Sequence, residues 1–125
     1  MQKFKETVLI TGGSGFLGRN IINKFRDKYN LISVSRLRSV DGVKNIPVDL
    51  SNTDFDFLNN ESIDYVIYLG TISSPKQGND NPEECFESNV ASVQKFLEKS
   101  KKFHFKKIIL FSSVVVYKEK VRGLL

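Results

Sequence analysis

One stretch near the start constrains this chain more than any other: Thr11-Gly12-Gly13-Ser14-Gly15-Phe16-Leu17-Gly18. An apolar run, Thr7-Val8-Leu9-Ile10, precedes it, and an amphipathic segment over residues 16–25 follows. The stretch therefore sits at a strand-to-helix turn. Glycines recur at Gly12, Gly15 and Gly18, and each has a physical task if a dinucleotide pyrophosphate docks here. Gly12 turns the chain sharply out of the strand. Gly15, lacking a Cβ, lets backbone approach phosphate. Gly18 lets the helix lie close on the sheet. The helix N-terminus then offers unpaired N–H groups and a partial positive charge. A P-loop is the rival reading, because Gly13 and Gly18 are suitably spaced. Arg19 and Asn20 stand where that motif needs Lys and Ser/Thr, so terminal phosphates and Mg²⁺ would lack partners.

Strand and helix patterns alternate along the rest of the chain. Residues 5–10 read as a first strand covered on both faces. The helix after the glycines puts Leu17, Ile21 and Phe25 on one stripe. Residues 31–35 form a second strand. Residues 43–48 form a short third, which Pro47 places at a sheet edge or strand end. Residues 54–60 suggest a short helix with Phe55 and Leu58 or Phe57 inward. Residues 63–69 form a fourth strand, and Gly70 and Thr71 end it where backbone can approach a ligand. Residues 73–81, with Pro75 and Gly78, read as a loop. Asn81 is an N-cap with Pro82 after it and Glu84 completing a capping box; Phe86, Val90, Val93 and Leu97 then form the buried stripe. Asn89 lies beside that stripe, either exposed or hydrogen-bonded inward. Residues 106–117 form a fifth strand in which Ser112 and Ser113 interrupt an apolar run, marking the end where a parallel sheet opens toward ligands. The pattern predicts an α/β fold: a Rossmann-like doubly wound parallel sheet of about five strands in order 3-2-1-4-5, truncated after the fifth.

The second strand speaks to the cofactor. An acidic residue about 20 positions past the glycines holds an adenosine ribose 2′-OH, whereas an Arg accommodates a 2′-phosphate. Here Ser35 is followed by Arg36 and Arg38, with no carboxylate until Asp41. A Ser–Arg pair favours NADP(H) over NAD(H); the alternative is that both arginines are solvated loop charges. Asp49, in Val48-Asp49-Leu50, is either a cap for the next segment or a contact to the adenine amino group.

Composition sets the limits. With 125 residues, 40% hydrophobic and 26% charged, the chain suits one soluble domain, an NAD(P)-binding unit over residues 1–125. The net charge of +5 is dispersed. Its densest group, Lys99, Lys101, Lys102, Lys106 and Lys107, surrounds a helix end and a loop, which argues for a solvated surface rather than a nucleic-acid site. A lone cysteine, Cys85, fits a reducing compartment. No signal-peptide core precedes the glycines, and no apolar run is long enough for a bilayer. A cytoplasmic protein is expected, with no membrane partner. His104 and Cys85 lack partners at metal-ligand or catalytic spacing.

TGGSGFLG, the VDL of residues 48–50, Asn89-Val90, and Ser112-Ser113 with Val116-Tyr117 together resemble the extended short-chain dehydrogenases/reductases, the NAD(P)-dependent epimerases and dehydratases. Many of these act on nucleotide sugars. The resemblance implies that Gly12, Gly15 and Gly18 line the pyrophosphate with Phe16 and Leu17 beside it. It implies that Asp49 meets the adenine amino group, that Leu50 lies near the base, and that Leu69, Gly70 and Thr71 pass the nicotinamide ribose. Asn89 would face the active site, and Ser113 would be the catalytic serine. The family's chemistry also needs a Tyr with a Lys four positions later, whose charge lowers the Tyr pKa. Here Tyr29, Tyr65, Tyr68 and Tyr117 are followed at that spacing by Ser33, Leu69, Ile72 and Val121. Tyr68, Gly70 and Lys118 also depart from the family pattern. The chain is thus expected to be the amino-terminal, cofactor-binding part of an enzyme, inactive alone, or else a non-catalytic NAD(P)-binding or sensor module. A bare, apolar fifth strand would pair with a second copy, giving a homo-oligomer.

Overall fold

The computed structural model describes residues 4–36, 38–69 and 75–112. The expectations for Gly70, Thr71 and Ser113 lie outside these residues. Strand β1 (Thr7–Thr11) leads through a turn into helix α1 (Phe16–Phe25), then β2 (Asn30–Ser35) and β3 (Lys44–Pro47). Two 3-10 turns, Leu50–Asn52 and Asp56–Asn60, precede β4 (Tyr65–Tyr68). Helices α2 (Pro75–Asp80) and α3 (Pro82–Phe86), a π-helical turn (Glu87–Ala91) and α4 (Ser92–Ser100) lead to β5 (Lys107–Leu110). The sheet order is β3-β2-β1-β4-β5, with every pairing parallel. The doubly wound sheet therefore has the expected order, with β1 at its centre. Pro47 ends the edge strand β3, where its missing N–H costs no internal ladder bond.

Alternation along β1 divides the core. Val8 and Ile10 join Ile22 and Leu31 under α1, with Ile21 and Phe25 packed at the margin. Leu9 faces the other way and joins Val34, Val66, Tyr68, Phe55 and Phe96. Phe55 and Leu58 are both fully buried, as the sequence suggested, and Phe57 packs at the side. Phe55 reaches its place through a left-handed backbone, φ 59°. Leu17, expected on the inner stripe of α1, is 44% exposed; fully buried Ile22 takes the inward position.

Two readings of the segment after β4 are corrected. Residues 75–80, expected as loop, form α2. Pro75 occupies the first helical position, where its fixed φ favours helix and its missing N–H is not needed. Pro82 then starts α3 afresh after a non-helical Asn81, whose side chain makes no capping bond; the expected capping box does not form. The second correction concerns which face of residues 82–100 is inward. Of the expected stripe, Val93 packs against the core, but Phe86, Val90 and Leu97 are 56%, 42% and 38% exposed, whereas Ser88, Ser92 and Phe96 are buried. Ser88, Ser92 and Phe96 recur four residues apart on one buried face, and Phe86, Val90 and Leu97 fall off it. The Ser92 hydroxyl is hydrogen-bonded to that of Tyr68 at 2.8 Å, and Phe96 lies against the Tyr68 ring at 5.2 Å between centroids. Burial raises the Tyr68 phenol above its ordinary pKa, with the Ser92 bond acting the other way.

Candidate functional site

The turn after β1 is built from backbone. Gly12 has φ 74°, a conformation that costs glycine little and other residues more. Its N–H donates to the Val34 carbonyl at 2.8 Å, which ties the turn to β2, and Gly15 N–H donates back to Gly12 at 3.1 Å. Gly18 closes the arrangement. A Cβ there would stand 2.3 Å from the Gly12 carbonyl oxygen and 2.7 Å from Gly13 Cα. Gly18 thus lets α1 close on the turn itself rather than on the sheet. The close approach to the sheet belongs to Gly13, which sequence reasoning had considered only for a P-loop. A Cβ on Gly13 would fall 2.2 Å from Ser33 Oγ in β2 and 3.1 Å from Ile22. Gly15 differs from both: its Cβ would meet only the Gly12 carbonyl, at 3.4 Å, and the residue is exposed.

This packing leaves the start of α1 open. Gly15 is the N-cap residue and supplies no side-chain bond, and the first turn carries no acid. The opening N–H groups of a helix have no partners within the helix. Phe16 is 85% exposed and Leu17 44%, so the rim is apolar and accessible. A diphosphate suits these features: extended glycine backbone at N-cap, unpaired donors, the positive end of a helix dipole and no repelling carboxylate. The turn also stands at the carboxyl end of β1, between β2 and β4, where the strand order reverses and α/β sheets bind ligands.

The other expected residues lie at the same end of the sheet. Ser35 ends β2, and its hydroxyl donates to the Arg38 carbonyl at 2.5 Å. Arg36 follows, exposed, with Nη1 3.9 Å from both Asp49 Oδ2 and Glu84 Oε1. Asp49 caps the turn Leu50–Asn52, accepting from Ser51 N–H at 3.0 Å and from its hydroxyl at 2.7 Å. The Ser51 hydroxyl bond is the main reason its carboxyl lies below the usual pKa, with Arg36 adding to the effect. Leu50 packs against the Phe55 side of the core and Leu69 against the α1 side. The Leu69 N–H donates to Thr11 Oγ1 at 2.8 Å, which fixes the end of β4 against β1. Asn89 is half-buried within the π-helical turn and donates to Cys85 Sγ at 3.4 Å. Such turns recur at functional sites, and nothing in the periodicity marked this one. The sequence also gave no sign of the Arg36–Glu84 contact.

Elsewhere the surface answers two further questions. Lys99, Lys101 and Lys106 sit in ion pairs with Asp56, Glu98 and Glu6, so three of the five lysines in the basic cluster are paired surface charges. An apolar hollow of about 280 Å³ runs along the flank of α1, between Phe25, Tyr65 and Ile109. It includes none of the expected cofactor-binding residues. Among the described residues, no helix is long and apolar enough to cross a membrane.

Comparison with known proteins points the same way as the geometry. The chain is 28% identical over 116 residues to a putative UDP-glucose 4-epimerase of Methanocaldococcus jannaschii, covering 85% of this chain and 37% of that protein. It is 27% identical to a bifunctional UDP-glucose 4-epimerase and UDP-xylose 4-epimerase of Pisum sativum, covering 90% and 38% respectively. Among solved structures, an epimerase of Methanothermobacter thermautotrophicus superposes with a TM-score of 0.82 at 22% identity over 93% of this chain and 38% of that one, a likeness of fold. The UDP-glucose 4-epimerase of Bifidobacterium longum, solved with NAD+ and UDP, gives 0.77 at 27% identity over 89% and 38%. The chain thus spans under two fifths of the length of these two curated relatives. The sequence model of the NAD dependent epimerase/dehydratase family matches residues 8–122, nearly the whole chain, and with the glycine turn at the head of a 3-2-1-4-5 sheet it makes this chain a member of that family.

Proposed function

We propose that this chain is the dinucleotide-binding part of an NAD(P)-dependent epimerase or dehydratase acting on a nucleotide sugar. The uncapped, acid-free N-terminus of α1, closed on glycine backbone at the switch point of the sheet, carries this reading. Gly12, Gly15 and Gly18 with the opening amides of α1 receive the pyrophosphate, with Phe16 and Leu17 along its side. Asp49 and Leu50 serve the adenine. Ser35 and Arg36 favour a 2′-phosphate, hence NADP over NAD. Leu69, Gly70 and Thr71 pass the nicotinamide ribose, Asn89 faces the reacting centre, and Ser113 holds the substrate's reacting oxygen. A bound nicotinamide would supply hydride exchange; these residues hold and orient it. The nucleotide-sugar assignment is supported by what the relatives are named for. The protein works in the cytoplasm, and the chain self-associates through the edge at β5, where Ile109, Leu110 and Phe111 are each more than two fifths exposed.

A second reading, a non-catalytic NAD(P)-binding module, is favoured by one observation: within these 125 residues no Tyr is followed four positions later by Lys. A Tyr-x-x-x-Lys encoded beyond Leu125 would decide for the enzyme. Calorimetric titration with NADPH and NADH tests the binding function itself. Both should bind, NADPH more tightly, and Arg36→Ala should weaken NADPH more than NADH. Absence of heat with either would leave a fold with a vacant crevice and overturn the proposal.

A further inference from the structure

We infer that Glu84 is a specificity-determining residue of the adenosine subsite, tempering the preference for a 2′-phosphorylated dinucleotide by competing for Arg36. The inference rests on the dinucleotide reading above and adds a residue to it. Arg36 follows β2 on one side of β1, and Glu84 belongs to α3, which follows β4 on the other. Their contact therefore joins the two banks of the crevice beyond the carboxyl end of β1. The Arg36 guanidinium stands 3.9 Å from Glu84 and 3.9 Å from Asp49, so one positive charge faces two negative ones. The Arg36 charge is thus shared between two carboxylates where a 2′-phosphate would arrive.

The two carboxylates are not equivalent. Asp49 is held by the Ser51 amide and hydroxyl, which fix it as the cap of the following turn. Glu84 sits in the first turn of α3, in the place a capping-box acid would take, but Asn81 makes no side-chain cap there. Glu84 is half exposed, with 49% of its side chain accessible, so its charge can be removed without disturbing a core. A ribose 2′-OH has no charge to feel the change, whereas a 2′-phosphate gains when Arg36 is released to it.

The test is calorimetric titration of wild type, Glu84→Gln and Glu84→Ala with NADPH and NADH. NADPH binding should tighten about two- to tenfold in both variants, the span set by screening of charges a few ångströms apart near a surface. NADH affinity should stay within about twofold, because an exposed ion pair is weakly coupled to the rest of the fold. In an Arg36→Ala background the Glu84→Gln gain should vanish. An unchanged NADPH-to-NADH ratio, or a gain that persists without Arg36, would overturn the inference while leaving dinucleotide binding intact. Wild type that binds neither dinucleotide would instead overturn the reading beneath it, and this inference with it.

Discussion

The β1–turn–α1 unit and the helical run over residues 82–100 solve the same problem with different chemistry. Both must bring a helix close to a parallel sheet. In the first unit glycines do so: Gly18 lies against the backbone of Gly12 and Gly13, and Gly13 against the Ser33 side chain. In the second, serines do so, and the contact needs a hydrogen bond, Ser92 to Tyr68, to satisfy the buried hydroxyls. Glycines are visible in a sequence as an unusual cluster. Serines on an inward face look like surface. The difference teaches that an inward face can be set by small residues at the point of closest approach, with Phe96 filling the space beside them.

The sharpest way to break this comparison is to remove neighbouring apolar residues from the second helix. Phe96→Ala should destabilise the chain by about 3–5 kcal/mol, because a fully buried ring leaves a cavity. Leu97→Ala, on the exposed side, should cost under about 1 kcal/mol. Equal losses in urea denaturation would mean that the serine face is not the inner one. The glycine unit is probed next. Gly18→Ala forces a Cβ onto backbone and should cost about 1–3 kcal/mol and abolish dinucleotide binding. Gly15→Ala meets only an ordinary contact, so stability should change by less than about 0.5 kcal/mol while binding weakens. That split separates close packing at Gly18 from approach of a ligand at Gly15. The last test concerns the hydroxyl pair. Tyr68→Phe should cost about 1 kcal/mol, and a double-mutant cycle with Ser92→Ala should return a coupling of similar size.

Much of the fold was legible because its signals were local. The glycine turn, the alternation of strand and helix, Pro47 at an edge, and Phe55 with Leu58 inward could each be read from a few neighbouring residues. What escaped depends on partners distant in sequence. The role of Gly13 is set by Ser33 across the turn. The inward face of residues 82–100 is set by Tyr68, to which Ser92 bonds, and of the large apolar residues expected inward only Val93 packs against the core. Helix α2 was missed because Pro75 and Gly78 resemble loop punctuation, although proline at a first helical position is favourable. Within the site, Arg36 and Asp49 were identified separately, but their joint contact with Glu84 arises only when both sides of β1 are assembled.

The central claim is that unpaired amides at the start of α1 grip a diphosphate. Amide chemical shifts of the isotope-labelled chain, followed while NADH is added, test it most directly. The account predicts saturable shifts that are largest at Phe16, Leu17 and Gly18, whose amides are the opening donors of α1, with smaller ones at Gly12, Gly15, Arg36 and Asp49. Shifts confined to other parts of the sheet, with the amides of Phe16, Leu17 and Gly18 unmoved at saturation, would contradict it.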